Sequence, residues 1–505
     1  MSSSTPVVQN EILGHPRGLV ILFFAEMWER FSFYGMRGLL ILYLTKYWLF
    51  SDAVANGIYA GYASMVYLMP IFGGMIADRY LGFKKAVIAG AVLLCLGHLG
   101  MAYEGQAAYV LEGSVVQDQL ALQVLYVSLA LIIVGVGLLK PSISNMVGEL
   151  YAAQDARRDG GFTIFYMGIN VGSVLAALTC GYLGETYGWA YGFGLAGIGM
   201  LLGLVTFVGG RHWLTGIGEA PVDQAGHDRW VYLGAIGVVV LAWILMQHQW
   251  LIGTVLSISS IGAVLGVVVF MFWRLEATER RAMGLLLFLI IYSVIFWALF
   301  EQAGSSMNLF ADRNVHKSLF GIEITAAQLQ FLNPGFIILL APGFAWLWKR
   351  LAAAGWEPNA AAKFGLAITQ AGLGFWVLVW GIDQADSLGQ VALLWLALAY
   401  LIHTTGELCL SPVGLSLVTK LSVPRVLGLM MGVWFLASSV AHYAAGLIAA
   451  MASVEGGGAA DSQAALAVYR DAFLLVAQVG VGTGVLLWLA SFWLGRFEPA
   501  SASSD

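Results

Sequence analysis

Seven ionisable side chains lie in stretches that are otherwise apolar. Glu26, Glu29, Arg30 and Arg37 share one run, Lys140 lies in a second, Glu301 in a third and Glu407 in a fourth. A charge at the centre of a bilayer costs about 3 kcal/mol, so each of these groups needs a partner, water or a purpose. The chemistry open to carboxylates and cations in such a place is ion pairing, proton binding and capture of a charged solute. At about 100° per residue, with Glu26 at zero, Arg37 falls near about +20°, Arg30 about +40°, Glu29 about −60° and Tyr34 about +80°. All five share one helix face, and Arg37 stands about 16 Å along the axis from Glu26. Arg30 can neutralise Glu26 (i, i+4) and its neighbour Glu29, so the plain reading of that trio is a structural ion-pair knot. Four carboxylates and three cations on four segments exceed what private pairs absorb. They imply a shared wet cavity between two groups of helices. In it Arg37 and Lys140 can hold a carboxylate and Glu407 an ammonium, so a zwitterion suits both. A surplus acid, Glu301 or one of Glu26 and Glu29, can carry a proton and couple it to the same ion pairs.

Long apolar helices must position these groups. The chain has 505 residues, of which 60% are hydrophobic and 10% charged, against about 25% charged in soluble domains. A crossing helix needs about 20 apolar residues. Runs that qualify are 18–46, 53–77, 85–104, 120–148, 161–184, 190–209, 229–247, 251–274, 282–311, 326–348, 361–382, 388–419, 425–452 and 466–495. With the N-terminus inside, 17 Lys and Arg fall in loops on that side against 4 (Lys46, Arg313, Lys317, Arg470) on the other. This sets the expected orientation, with both termini in the cytoplasm. The first hydrophobic run is too long and too charged for a signal peptide.

The runs divide as six, two and six. The expected organisation is an N-terminal six-helix bundle over 1–210, a linker with two extra helices over 211–278, and a C-terminal six-helix bundle over 279–505. This is an all-α polytopic membrane protein with the layout of the major facilitator fold, 14 transmembrane helices in all. The extra pair has no ionisable group in its apolar interior and reads as lipid-facing. The net charge of −5 and the absence of basic tracts argue against nucleic acid. Cys95, Cys180 and Cys409 lack any zinc or redox spacing. No nucleotide-binding loop, nucleophile elbow or metal spacing is present, so neither an enzyme nor a bound cofactor is expected.

The stretch "EMWERFSFYG" (26–35) resembles the E-x-x-E-R-F-x-Y-Y-G signature of the proton-dependent oligopeptide transporter family. Further stretches agree in order: "YLMPIFGGMIADRYLG" (67–82), "GLLKPSISNMVGELY" (137–151), "FTIFYMGINVGS" (162–173), "FEQAGSSMNLFAD" (300–312), "FLNPGFIILLAP" (331–342), "GELCLSPVGLSLV" (406–418) and "MGVWFLASS" (431–439). The resemblance implies a symporter that imports di- and tripeptides, and peptide-like compounds, with protons across the cytoplasmic membrane. It implies that Arg37 and Lys140 contact the peptide carboxylate, and that Glu407, Asn170 and Asn333 receive its ammonium. Tyr34, Tyr67, Trp297, Ser411 and Trp434 would line the rest of the site. Glu301 would be a proton-linked acid near Arg37, with Glu26, Glu29 and Arg30 linking proton binding to gating. Protons would be the co-transported ion. Lys140 would pair with Glu407 in part of the cycle.

Three departures from the family pattern matter. Phe33 replaces the first tyrosine of the signature. Ala60 stands where animal members carry a histidine, leaving the proton to carboxylates. Some bacterial members pair a second-span cation with an acid at the outer end of the seventh; Asp312 can supply the acid, but the second span has no cation before Arg79, so this gate bridge is expected to be absent. Other residues have plainer readings. His403, one turn before Glu407, reads as a packed histidine, and His98, His248 and His442 as scattered ones. "GVGLL" (135–139) reads as a helix-packing face. Asp78, Arg79, Lys84 and Lys85 read as inner-end bracing, and Trp48, Trp230, Trp348 and Trp493 as interface anchors. Two rivals remain open: a related symporter for another solute, and a membrane receptor without transport.

Overall fold

The computed structural model describes residues 11–152, 154–220, 228–319, 321–454 and 462–498. They form fourteen long helices: α1 Gly18–Lys46, α2 Asp52–Leu81, α3 Phe83–Met101, α4 Gln119–Glu149, α5 Arg158–Tyr187, α6 Trp189–Leu214, α7 Asp228–Gln247, α8 Gln249–Arg274, α9 Ala277–Asn314, α10 Gln328–Ala353, α11 Ala360–Ile382, α12 Leu393–Leu421, α13 Pro424–Met451 and α14 Gln463–Phe497. Thirteen are long and apolar enough to cross a membrane. The remaining one, α1, is long enough at 29 residues but carries Glu26, Glu29, Arg30 and Arg37. The chain is a multi-pass membrane protein.

The helices form two compact units. One comprises residues 1–36, 69–104 and 123–243, and the other residues 37–68, 105–122 and 244–505. The first unit is stitched by glycine. A Cβ on Gly135 would strike the Gly90 carbonyl, and one on Gly137 would strike Met69. The small-residue face 135–139 is thus where α4 meets α3 and α2, because backbones can approach this closely only without side chains. At one end of this unit Lys84 and Lys85 pair with Glu219 and Asp228, each at 2.5 Å, tying α3 to the linker. Residues 221–227 of that linker lie outside the described residues.

In the second unit α11 and α14 share a second glycine seam, Gly372 against Gly480 and Gly365 against Gly484. Residues 37–68, the last third of α1 and just over half of α2, pack here. Gly446 of α13 abuts Ala60, and the Ser439 hydroxyl donates to the Ser64 carbonyl at 2.8 Å. One face of α8 covers α13, with Gly253 against Tyr443. Its other face exposes Trp250, Ile258, Phe272 and Trp273, as a lipid-facing helix would. Trp48 corrects the interface-anchor reading: it is fully buried, and its carbonyl accepts from Gln117 at 2.7 Å. The fold closes over the end of α1 there, so this tryptophan fills a core.

Candidate functional site

The first unit contains the Glu26–Glu29–Arg30 knot. All three side chains are buried. The Arg30 guanidinium forks onto Glu29, with Nη2 donating to Oε1 at 2.7 Å and Nε to the other oxygen. Nε also lies 3.4 Å from Glu26 Oε1. The second Glu26 oxygen has no hydrogen-bond partner among the described residues, and Lys140 of α4 acts on this carboxyl through space. Phe33 takes up the role its sequence position left open: its ring lies under the guanidinium, 4.9 Å from Cζ, a cation–π contact in place of a hydroxyl. Tyr34 packs against Phe31, Ala176, Cys180 and Ala196. Asn170 is buried on α5 and donates to the Tyr166 carbonyl at 3.1 Å.

The second unit contains a larger cluster. Helix α9 breaks at Glu301, which opens a 3-10 turn, Glu301–Gly304, before helix resumes at Ser306. The break aims the buried Glu301 carboxylate sideways. Arg37 Nη2 donates to one of its oxygens, and Arg37 Nε donates to the Tyr59 hydroxyl at 2.7 Å. Gly304 permits this approach, since a Cβ there would run into Tyr59 and the Arg37 guanidinium. The other Glu301 oxygen lies 3.3 Å from His442 Nε2, at ion-pair distance but outside hydrogen-bonding angles. The His442 ring stacks on Tyr67 with centroids 3.9 Å apart.

On α12, Glu407 is buried and accepts from Asn333 Nδ2 of α10 at 2.9 Å; the same nitrogen lies 3.1 Å from the Thr404 hydroxyl. Glu301 acts on Glu407 through space. Trp297 is half-buried beside Phe296 and Phe300. Trp434 is buried over Gly414, and Ser411 is half-buried on α12. Arg37 and Glu301 are thus brought together, as are Glu407 and Asn333. Lys140 and Asn170 belong to the first unit.

Where α1 and α9 end and α2 begins, Asp312 has no second-span cation as its partner, as expected, and other ion pairs stand there. Arg313 forks onto Asp52 at 2.6 and 2.7 Å, and Lys46 pairs with Asp312 at 2.6 Å. Asp52 is fully buried. It also accepts from the Val454 N–H at 3.0 Å, and Arg313 donates to the Tyr469 hydroxyl at 3.2 Å. A bridge between the second and seventh core helices exists with the charges exchanged, acid on α2 and cation on α9. A search for a cation on the second span could not find it, and Asp52 lies one residue before the span drawn from hydropathy. Tyr59 and His442 were also missed. Neither has a sequence signal beyond being a polar ring in an apolar run. His403 matches its plain reading, with its Nε2 2.9 Å from the Ala371 carbonyl.

The sequence pattern of the POT family matches residues 84–461. Peptide transporter YePEPT of Yersinia enterocolitica is 38% identical over 473 residues, covering 88% of this chain and 90% of that protein. Dipeptide and tripeptide permease A of Edwardsiella piscicida is 33% identical over 474 residues, 93% of this chain and 92% of that one. Among solved structures, a mutant of peptide transporter POT in complex with alafosfalin has a TM-score of 0.82 and 35% identity over 98% of both chains. A POT family transporter in complex with 5-aminolevulinic acid has a TM-score of 0.80 and 30% identity, covering 96% of this chain and 98% of that one.

Proposed function

The chain belongs to the POT family, as a membrane transporter and not an enzyme, and from that premise we propose that it imports di- and tripeptides together with protons by alternating access. One observation carries the reading. The second unit holds a cation and an acid whose present partners are internal stand-ins for a zwitterion: Glu301 on Arg37 and Asn333 on Glu407. A peptide carboxylate replaces Glu301 on Arg37, and a peptide ammonium adds to Glu407 and the Asn333 side-chain carbonyl.

Lys140 adds its charge to the carboxylate end and Asn170 its amide to the ammonium end. Tyr34, Tyr67, Trp297, Ser411 and Trp434 line the space for side chains. Glu301 released from Arg37 takes a proton, and the Glu26–Glu29–Arg30 knot ties proton binding to gating. Exchange of a salt bridge for a ligand is linkage, so each favours the other's binding by the same factor. The electrical part of the drive is about 2.3 kcal/mol per charge per 100 mV, enough to concentrate a peptide at one proton each. No further cofactor is needed.

The moving parts are the bundles 1–210 and 279–505, with 211–278 as the inserted pair. The 17-to-4 distribution of loop cations supports an inner-membrane protein with both termini in the cytoplasm. On that orientation the Asp52–Arg313 and Lys46–Asp312 pairs latch the outer end.

The test is uptake of labelled dialanine by proteoliposomes under an inward proton gradient, with unlabelled di- and tripeptides, alafosfalin and 5-aminolevulinate as competitors. Accumulation blocked by di- and tripeptides supports the reading. Uptake that ignores peptides but yields to another solute supports a different cargo.

A further inference from the structure

We infer that His442 is a proton-binding residue that shares one proton with Glu301 and sets the availability of Arg37; this rests on the proton-coupled reading above. The geometry fixes the tautomer. His442 Nδ1 lies 2.8 Å from the Ser438 carbonyl, and a carbonyl only accepts, so Nδ1 carries hydrogen. The titrating atom is therefore Nε2, and it is the one that faces Glu301. With Nε2 bare and Glu301 ionised, the electron-rich nitrogen would sit 3.3 Å from a carboxylate oxygen in a buried place, where little screens the repulsion. A proton on Nε2 turns that contact into an ion pair.

The surroundings hold the ring to this job. Tyr67 stacks on its face. Next to Glu301, Gln302 Nε2 donates to the Ala445 carbonyl at 2.9 Å, which locks α9 to α13 beside His442. On the other side Gly446 seals against Ala60, and α8 packs outside α13 with no acid or base before Arg274 at its end. The titratable groups facing the pair are Arg37 from α1, Tyr59 and Tyr67 from α2, Glu301 from α9 and, within electrostatic reach of Glu301, Glu407 from α12.

The step balances simply. A proton delivered by hydronium bonds to the Nε2 lone pair and leaves water behind. The imidazolium then competes with Arg37 for one carboxylate, and its charge repels the guanidinium. Arg37 is loosened towards a peptide carboxylate. On the far side the proton returns from Nε2 to water, Glu301 reverts to Arg37, and the peptide leaves.

The experiment compares wild type, His442→Gln, Glu301→Gln and the double variant in proteoliposomes loaded for dialanine uptake and, separately, counterflow. Gradient-driven accumulation in His442→Gln is expected to fall about tenfold while counterflow stays within about twofold. Its dependence on pH should flatten, and the double variant should lose no more than the worse single one. An unchanged pH profile and accumulation in His442→Gln overturns the inference while leaving peptide symport intact. Wild type that accumulates nothing overturns both. A variant that does not fold is replaced by wild type grown with ring-labelled histidine. Peptide-induced infrared difference spectra must then show a histidine protonation band, and none appearing overturns the inference equally.

Discussion

Two clusters of buried charge share helix α1, and they are built by opposite means. Around Arg30 the partners are one and four residues away on the same helix. Around Arg37 they come from α2, α9 and, through Glu301, α13. A knot tied within one helix turn is a permanent feature of that helix: it can be loosened by a proton but not pulled apart by movement. A cluster assembled from four helices changes whenever one of them moves, and whenever a ligand offers a better partner. The first is suited to stability and the second to coupling.

The comparison breaks most sharply at Arg30. Replacing it by alanine leaves two buried carboxylates without their cation, a loss of about 3–5 kcal/mol for a broken buried pair. Purified Arg30→Ala should melt well below wild type or fail to fold. A melt within error of wild type would mean that the knot is hydrated and loosely held.

Glu301→Gln should behave in the opposite way, folding normally and losing function. Gradient-driven peptide accumulation is expected to fall at least about tenfold while counterflow is largely kept, as two uptake assays on the same vesicles would show. Equal loss of both would make Glu301 structural, like the knot.

The Asp52–Arg313 bridge gives a middle-sized effect. Arg313→Ala leaves a fully buried aspartate that keeps the Val454 N–H but loses its cation, and should weaken closure of that end. Cysteine accessibility at the ends of α2 and α9 should rise severalfold. The exchanged pair, Asp52→Arg with Arg313→Asp, should recover part of the protection, since the ion pair is remade; no recovery would show that the geometry around Tyr469, not charge, holds the latch.

Phe33→Tyr is the mildest change. The cation–π contact is worth about 1 kcal/mol, and a tyrosine ring largely preserves it. A small shift in peptide preference is expected, read from a competition panel, with stability unchanged.

The legibility of these regions follows the same division. The knot could be read from spacing because helix geometry alone places residues 26, 29 and 30 together. The fourteen helices could be read because hydrophobic length sets them. Glycines 135 and 137 announced a close helix crossing, and that crossing exists. The Arg37 cluster was visible only in its charges. Tyr59 and His442 carry no charge pattern, and what recruits them is the register of α2 against α13, set by Ala60, Gly446 and Ser439. The latch was missed because the bridge had been sought with one polarity, and physics accepts either. Trp48 looked like an interface anchor because its burial depends on the residues around 117, which return from elsewhere in the chain.

The central claim is that a proton gradient drives a zwitterionic peptide through exchangeable ion pairs. The most direct measurement is labelled dialanine in wild-type proteoliposomes with and without an inward proton gradient, repeated with C-terminally amidated dialanine as competitor. Accumulation above equilibrium only with the gradient, blocked by dialanine and far less by its amide, is the predicted result. Equal uptake with the gradient collapsed, or equal competition by the amide, would contradict it.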